Sequence, residues 1–117
     1  MTQRDEFGDF AENEDAQHCI IYWLKAGAEF EYDRHHANVW PEVESKLRAE
    51  GFYDYSIFRR GDLVISVYRK RESSNAAMTA SVAEVNKKWS SLMGSLLLST
   101  TDETGAPLSA ARVFRLE

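Results

Sequence analysis

The sequence specifies an α+β domain whose strands and helices run in the order β-α-β-β-α-β. Three observations carry this expectation. An apolar, β-branched and aromatic run, HCIIYWLKAG, ends at Gly27 and reads as a first strand. Two further runs of that kind, Phe52–Arg59 and Leu63–Lys70, flank the turn residues Arg60, Gly61 and Asp62. Residues 28–49 and 73–98 carry apolar side chains at helical spacing. Two split βαβ units of this order make the ferredoxin-like arrangement, an antiparallel sheet with its helices on one face.

Each element has a local reason. The first strand is apolar on both faces, with Ile20, Tyr22 and Leu24 on one and Ile21 and Trp23 on the other. Phe30, Val39, Val43 and Leu47 form the stripe of the first helical stretch, but Pro41 lies inside it. Proline cannot donate the i→i−4 bond and drives Trp40 out of the α region. Two helices therefore follow, one over 27–36 and one that opens with Pro41 in its first turn, with His36–Val39 as the joint region. Glu42 and Glu44 suit the positive start of the second helix, and Gly51 ends it. Arg60-Gly61-Asp62 is also a cell-adhesion triplet, but here it reads as a hairpin tip. Met78, Val82, Val85, Trp89, Leu92, Met93 and Leu96 stripe the last helix, with Ser73 and Ser74 as its expected caps. STTDETGAP is a loop and LSAARVFRL a last short strand.

At 117 residues the chain is expected to form one domain, residues 16–117, after an acidic N-terminal tail over 1–15. That tail holds six acids against Arg4 alone, so of the net −5 nothing remains for the body, which carries 13 charges of each sign. A neutral body argues against nucleic-acid binding, which needs clustered Lys and Arg. No apolar run approaches the roughly 20 residues that span a bilayer, so no membrane partner is expected. Cys19 cannot form an internal disulfide and sits in the apolar run CIIYWL as a structural thiol. With no secretion signal at the N-terminus, a reducing, cytoplasmic setting fits. Trp23, Tyr53, Tyr55, Ile57, Leu63 and Ile65 are more apolar surface than one set of helices can cover, which points to a homodimer that pairs two sheets.

The chemistry-bearing stretch is EYDRHHANVWPEVE. Tyr32 and His36 are four apart and stack on one helix face, while His35 points about 100° away. His36 ends the first helix, where a ligand finds room. An imidazole gives or takes a proton near neutral pH, a phenol holds a hydroxyl, and Trp40 or Trp89 offers a flat apolar surface to a sugar ring. The bland alternatives stand beside these: a surface Tyr/His pair, tryptophans in the core, and a Trp-Pro step that only breaks a helix. No nucleophile elbow and no glycine-rich phosphate loop occurs. His18, His35 and His36 lack zinc-ligand spacing, so no metal or cofactor is expected.

EYDRHHANVWPEVESKLRAEGFYDYSIF resembles the L-rhamnose mutarotase family, whose pattern of Tyr-x-x-x-His-x-x-x-Trp-Pro-Glu followed by Gly-x-x-x-Tyr-x-Ile is met by Tyr32, His36, Trp40, Pro41, Glu42, Gly51, Tyr55 and Ile57. A thinner likeness runs through KKWSSLM and the closing VFRL, so that residues 19–116 are covered. The resemblance implies a dimeric α+β barrel that interconverts the α and β anomers of a free 6-deoxy sugar. By matching position, His36 would be the catalytic proton donor, and Tyr32, Tyr55 and Trp89 would bind the sugar, with Trp40 beside them. Two departures are visible: Ser90 follows Trp89 where the family has a second tryptophan, and Arg69 stands where a carboxylate is usual. Two other functions remain open on the sequence. One is a cofactor-independent monooxygenase of similar fold, and the other a catalytically silent sugar-binding module.

Overall fold

The computed structural model describes residues 16–73 and 79–117; the acidic tail, Ser74 and Met78 lie outside these. The elements are β1 (Gln17–Leu24), α1 (Glu29–His36), α2 (Pro41–Ala49), β2 (Phe52–Arg60), β3 (Leu63–Lys70), α3 (Ala80–Leu96) and β4 (Leu97–Ser99). This is the expected order, with the first helix divided in two. The divide follows from Pro41: Trp40 is extended at φ −64° and ψ 138°, and Pro41 takes the first helical turn, where its missing N–H leaves no bond unmade. α2 ends at Gly51, whose φ of +98° suits a residue without a side chain. A Cβ there would also run into the carbonyl oxygen of Arg71.

The four strands form one antiparallel sheet in the order β2-β3-β1-β4. Tyr22 lies opposite Val64, and Ile20 and Ile57 lie opposite Ser66 on either side of it. Alternation along the strands then puts Ile20, Tyr22, Leu24, Val64, Ser66 and Ile57 on one face. The helices cover that face. Leu24, Ala28, Tyr32, Val64 and Leu96 form the buried core, with Tyr22, Met93 and Leu97 packed on it. Leu24 and Val64 are the fully buried apolar side chains, each worth about 1.5–3 kcal/mol of burial. The opposite face carries Ile21, Trp23, Phe58, Ile65 and Val67, among which Trp23 is exposed and Phe58 is 58% exposed.

Three expectations need correction. Phe30 does not belong to the buried stripe: it is 79% exposed, and Tyr32 is the buried residue of α1. The α3 helix starts at Ala80, capped by Thr79, whose Oγ1 accepts a 3.2 Å bond from the Val82 N–H. Ser73 is not a cap; its hydroxyl donates to the Ala49 carbonyl at 3.3 Å. The last strand is not at 108–116. The helix stops at Leu96 and the chain becomes extended at once, Leu97 pairing with Leu24 and Ser99 with Trp23. Leu96–Leu98 continues a helical stripe by composition, but the unpaired edge of β1 takes it into the sheet, with the Lys25 N–H donating to the Leu96 carbonyl at 2.8 Å. The rest of that edge is met by residues 108–110, where the Ile21 N–H donates to the Leu108 carbonyl and the Ala110 N–H to the Cys19 carbonyl, both at 2.8 Å. Val113, Phe114 and Leu116 beyond them are exposed.

Candidate functional site

The site grows from the end of α1. Four-residue spacing stacks the rings of Tyr32 and His36, with centroids 4.2 Å apart and planes 28° from parallel. Tyr32 is only 3% exposed and packs against the sheet, so it serves as a floor under the imidazole. The indole of Trp89, from α3, meets His36 edge-on at 5.5 Å, and Trp40 from the joint meets Trp89 in the same way at 5.1 Å. Asp33 pins the helix to the sheet through a two-pronged pair with Arg59 of β2, at 2.8 and 2.6 Å, and Arg59 also donates to the Gly61 carbonyl. The broken helix therefore holds His36 between an aromatic floor and an aromatic wall.

A cleft of about 660 Å3 opens beside it. His36, Trp89, Ser90 and Asn86 line it from the helices, and Phe52, Asp54, Tyr55 and Ile57 line it from β2. Val43, Glu44, Lys46 and Leu47 of α2 complete the wall. Apolar and aromatic surface with a few polar groups is the usual make-up of a small-molecule pocket. Asn86 is buried, and its side-chain NH2 donates to the Glu42 and Val82 carbonyls at 3.1 and 2.9 Å, tying α3 to the start of α2.

The electrostatics favour a neutral imidazole. His36 Nδ1 lies 2.9 Å from the Tyr32 carbonyl, and because a carbonyl only accepts, Nδ1 carries the proton. Nε2 is left with a lone pair. Burial lowers the His36 pKa below its ordinary value; the bond to Tyr32 and the Asp33 charge oppose that shift without cancelling it, and His35 adds to it. Near pH 7 His36 is thus a base that can return the proton it takes. Tyr55 moves the other way: burial raises its phenol pKa, so it stays protonated as a donor. The Tyr32 pKa is raised as well, by burial first and then by its hydrogen bond with Tyr22. Among the described residues no group of three or more His, Cys, Asp or Glu is arranged to hold a metal ion, and no helix is long and apolar enough to cross a membrane.

Of the residues singled out in the sequence, His36, Tyr55 and Trp89 meet at the cleft. Tyr32 and Trp40 do not line it; they back His36 and Trp89. Arg69 also stands outside the lining and pairs with Asp54 at 3.5 Å, a residue that does line it. Sequence reasoning missed Asn86, Tyr22 and Ser66. Asn86 was detectable: it falls on the α3 stripe, four after Val82 and three before Trp89, where a polar residue needs a reason. Tyr22 was counted with the apolar face of β1, yet its hydroxyl lies 2.8 Å from that of Tyr32 and 3.4 Å from Ser66 Oγ.

A sheet covered on one side by a broken helix, with a neutral imidazole and a phenol facing one aromatic cleft, defines an α+β protein built for proton transfer on a small polar molecule. The comparisons with known proteins narrow this class. A sequence profile of L-rhamnose mutarotase matches residues 17–116. The chain is 33% identical over 101 residues to the L-rhamnose mutarotase of Yersinia pestis (strain Pestoides F), covering 85% of this chain and 96% of that one. It is 27% identical over 96 residues to the L-rhamnose mutarotase of Bacteroides thetaiotaomicron, covering 81% and 92%. Among solved structures, the crystal structure of the L-rhamnose mutarotase of Formosa agariphila superposes with a TM-score of 0.61 at 23% identity, covering 86% of this chain and 98% of that one, which supports the fold. The chain belongs to the L-rhamnose mutarotase family.

Proposed function

We propose that the protein is an isomerase that interconverts the α and β anomers of a free 6-deoxy sugar, L-rhamnose first among them, by acid/base opening and closing of the ring. The observation that carries this reading is the neutral His36 on the wall of a cleft wide enough for a pyranose, in a chain of this family. Mutarotation begins when His36 Nε2 takes the proton of the anomeric hydroxyl as the bond from C1 to the ring oxygen breaks. The ring oxygen receives a proton from a hydroxyl on the other side of the cleft. The aldehyde turns about its C1–C2 bond and the same two groups return their protons as the ring closes on the opposite face. Electrons and protons balance with no cofactor. One well-set acid/base group contributes about 10²–10⁴-fold, ample for a reaction that also proceeds in water.

In this reading His36 is catalytic, and Tyr55 and Trp89 bind the sugar directly. Tyr32 and Trp40 act by holding His36 and Trp89. The exposed apolar face with Trp23 and Phe58 supports a homodimer in which a second copy covers it and closes the barrel. A cytoplasmic enzyme of free-sugar metabolism is the setting that fits. The test is magnetisation transfer by NMR between the anomers of L-rhamnose, L-fucose and D-glucose. Acceleration for a 6-deoxy sugar supports the reading. No acceleration for any sugar overturns it, and sugar binding without faster exchange identifies a silent binding module instead.

A further inference from the structure

Asn86 is a buried polar residue of α3, 9% exposed, and it lines the cleft together with His36 and Trp89. Its side-chain nitrogen has two protons to give and two carbonyl oxygens in reach, that of Glu42 at 3.1 Å and that of Val82 at 2.9 Å. Carbonyls only accept, so the end of the amide that meets them is the NH2 and the other end is Oδ1. The amide is planar, and with both donors committed it cannot turn. No described residue donates to Oδ1. Val82 belongs to the same helix and Glu42 to the start of α2, so the cleft is the side left for Oδ1. A buried acceptor normally has a partner, and an open one asks for a donor from the cleft. Trp89 follows Asn86 by three residues on one helix face, which puts Asn86 about 4.5 Å further toward the start of α3. The Trp89 ring in turn meets His36 edge-on at 5.5 Å.

We propose that Asn86 is a specificity-determining residue whose Oδ1 accepts a hydrogen bond from a ring hydroxyl remote from C1. This deepens the mutarotase reading and rests on it. A sugar laid against Trp89 with C1 at His36 extends along α3 toward Asn86. There a fixed acceptor senses whether a hydroxyl is present and where it points. The two backbone bonds give it that selectivity: an amide free to turn would show either its NH2 or its oxygen, whereas this one shows only oxygen. A site built to bond a hydroxyl rejects the analogue that lacks it more strongly than an apolar wall rejects a change of size, because the buried acceptor stays unpaired. Proton transfer is left to His36 and the donor opposite it. The plain alternative is that Asn86 only ties α3 to α2, and such a tie acts on every sugar alike.

The experiment runs L-rhamnose and its 3-deoxy and 4-deoxy forms, each still able to mutarotate, with the wild-type protein and with Asn86→Ala. Anomer exchange by NMR gives kcat/KM, each value taken relative to the exchange of that sugar in buffer. The wild type is expected to lose roughly tenfold on one of the deoxy sugars, the worth of a buried acceptor left unpaired. Asn86→Ala loses a similar factor on L-rhamnose and then treats that deoxy sugar and L-rhamnose alike, so the two losses do not add. A second measurement needs no variant. In 13C-labelled wild-type protein the Asn86 Cγ signal is expected to shift on titration with L-rhamnose, and to shift less with the deoxy sugar that lacks the bonded hydroxyl. A wild type that handles both deoxy sugars as it handles L-rhamnose overturns the proposal. So does an equal fold-loss on all three sugars in Asn86→Ala, the mark of a tie alone. Should Asn86→Ala fail to fold, the Cγ signal decides: a selective shift upholds the proposal, and the same shift with all three sugars overturns it. Wild-type protein that binds the sugars without speeding their exchange counts against the mutarotase reading instead, and the Cγ titration still decides the role of Asn86. Binding of none of the three overturns both.

Discussion

At the scale of single residues, the proposed chemistry rests on His36, and one glycine shows how tightly the surrounding backbone is framed. Burial favours the neutral form of His36, and its Nδ1 bond to the Tyr32 carbonyl leaves Nε2 as the nitrogen with an open lone pair. The sign of its pH dependence follows. In the proposed mechanism the working form is the unprotonated imidazole, and its pKa is lowered, so the rate is expected to be full at pH 7 and to fall as acid protonates the ring. The acid limb of kcat/KM belongs below the ordinary imidazole value of about 6.5; a limb at or above 6.5 contradicts the buried geometry. Gly51 combines a positive φ with a carbonyl where a Cβ would stand. Gly51→Ala is expected to lose at least the 1–3 kcal/mol typical of a strained backbone position, read by denaturant unfolding. Leu24→Ala, at the centre of the core, costs about 2–5 kcal/mol by the same measurement. The Tyr32/His36 pair was legible from spacing alone, because four residues make one helical turn. The depth of Tyr32 was not, because spacing fixes a shared helix face and leaves open whether that face meets the sheet or the cleft.

At the scale of elements, the break at Pro41 decides where the imidazole ends up. One continuous helix would carry the chain straight past the sheet edge; the extended Trp40 turns α2 so that α1 ends on the cleft and Trp40 supports Trp89. The α3 helix brings Trp89, Asn86 and Ser90, and it depends on its cap. Thr79→Ala removes the acceptor for the Val82 N–H and is expected to cost about 1 kcal/mol. Thermal unfolding checks this, and an unchanged midpoint would mean that the first turn of α3 is held by other contacts. The two helices and the hairpin were readable because Pro41, Gly51 and Gly61 are strong punctuation. The start of α3 and the fourth strand were not. Serines at 73 and 74 offer the same cap chemistry as Thr79, and Leu96–Leu98 fits a helix until the open edge of β1 competes for it.

At the scale of the whole molecule, one sheet face is covered by helices and the other carries Trp23 and Phe58 in the open. The sequence signalled this through strands apolar on both sides, although Tyr55 and Ile57, first counted with the uncovered surface, lie on the cleft side. A second copy on the outer face predicts a dimer by sedimentation velocity at micromolar concentration. Phe58→Glu, which puts a charge on that face, should yield folded monomer. A wild-type monomer, or a Phe58→Glu protein that remains dimeric, would locate the contact elsewhere or remove it. The central claim is narrower than any of these: a neutral His36 imidazole takes and returns the anomeric proton as the sugar ring opens and closes. Magnetisation transfer between the anomers of L-rhamnose, run on wild-type protein and His36→Ala at equal concentration, tests it most directly. The account predicts exchange well above buffer for the wild type and a loss of about 10²-fold or more in His36→Ala, with the variant still folded; equal exchange in the two proteins would contradict it.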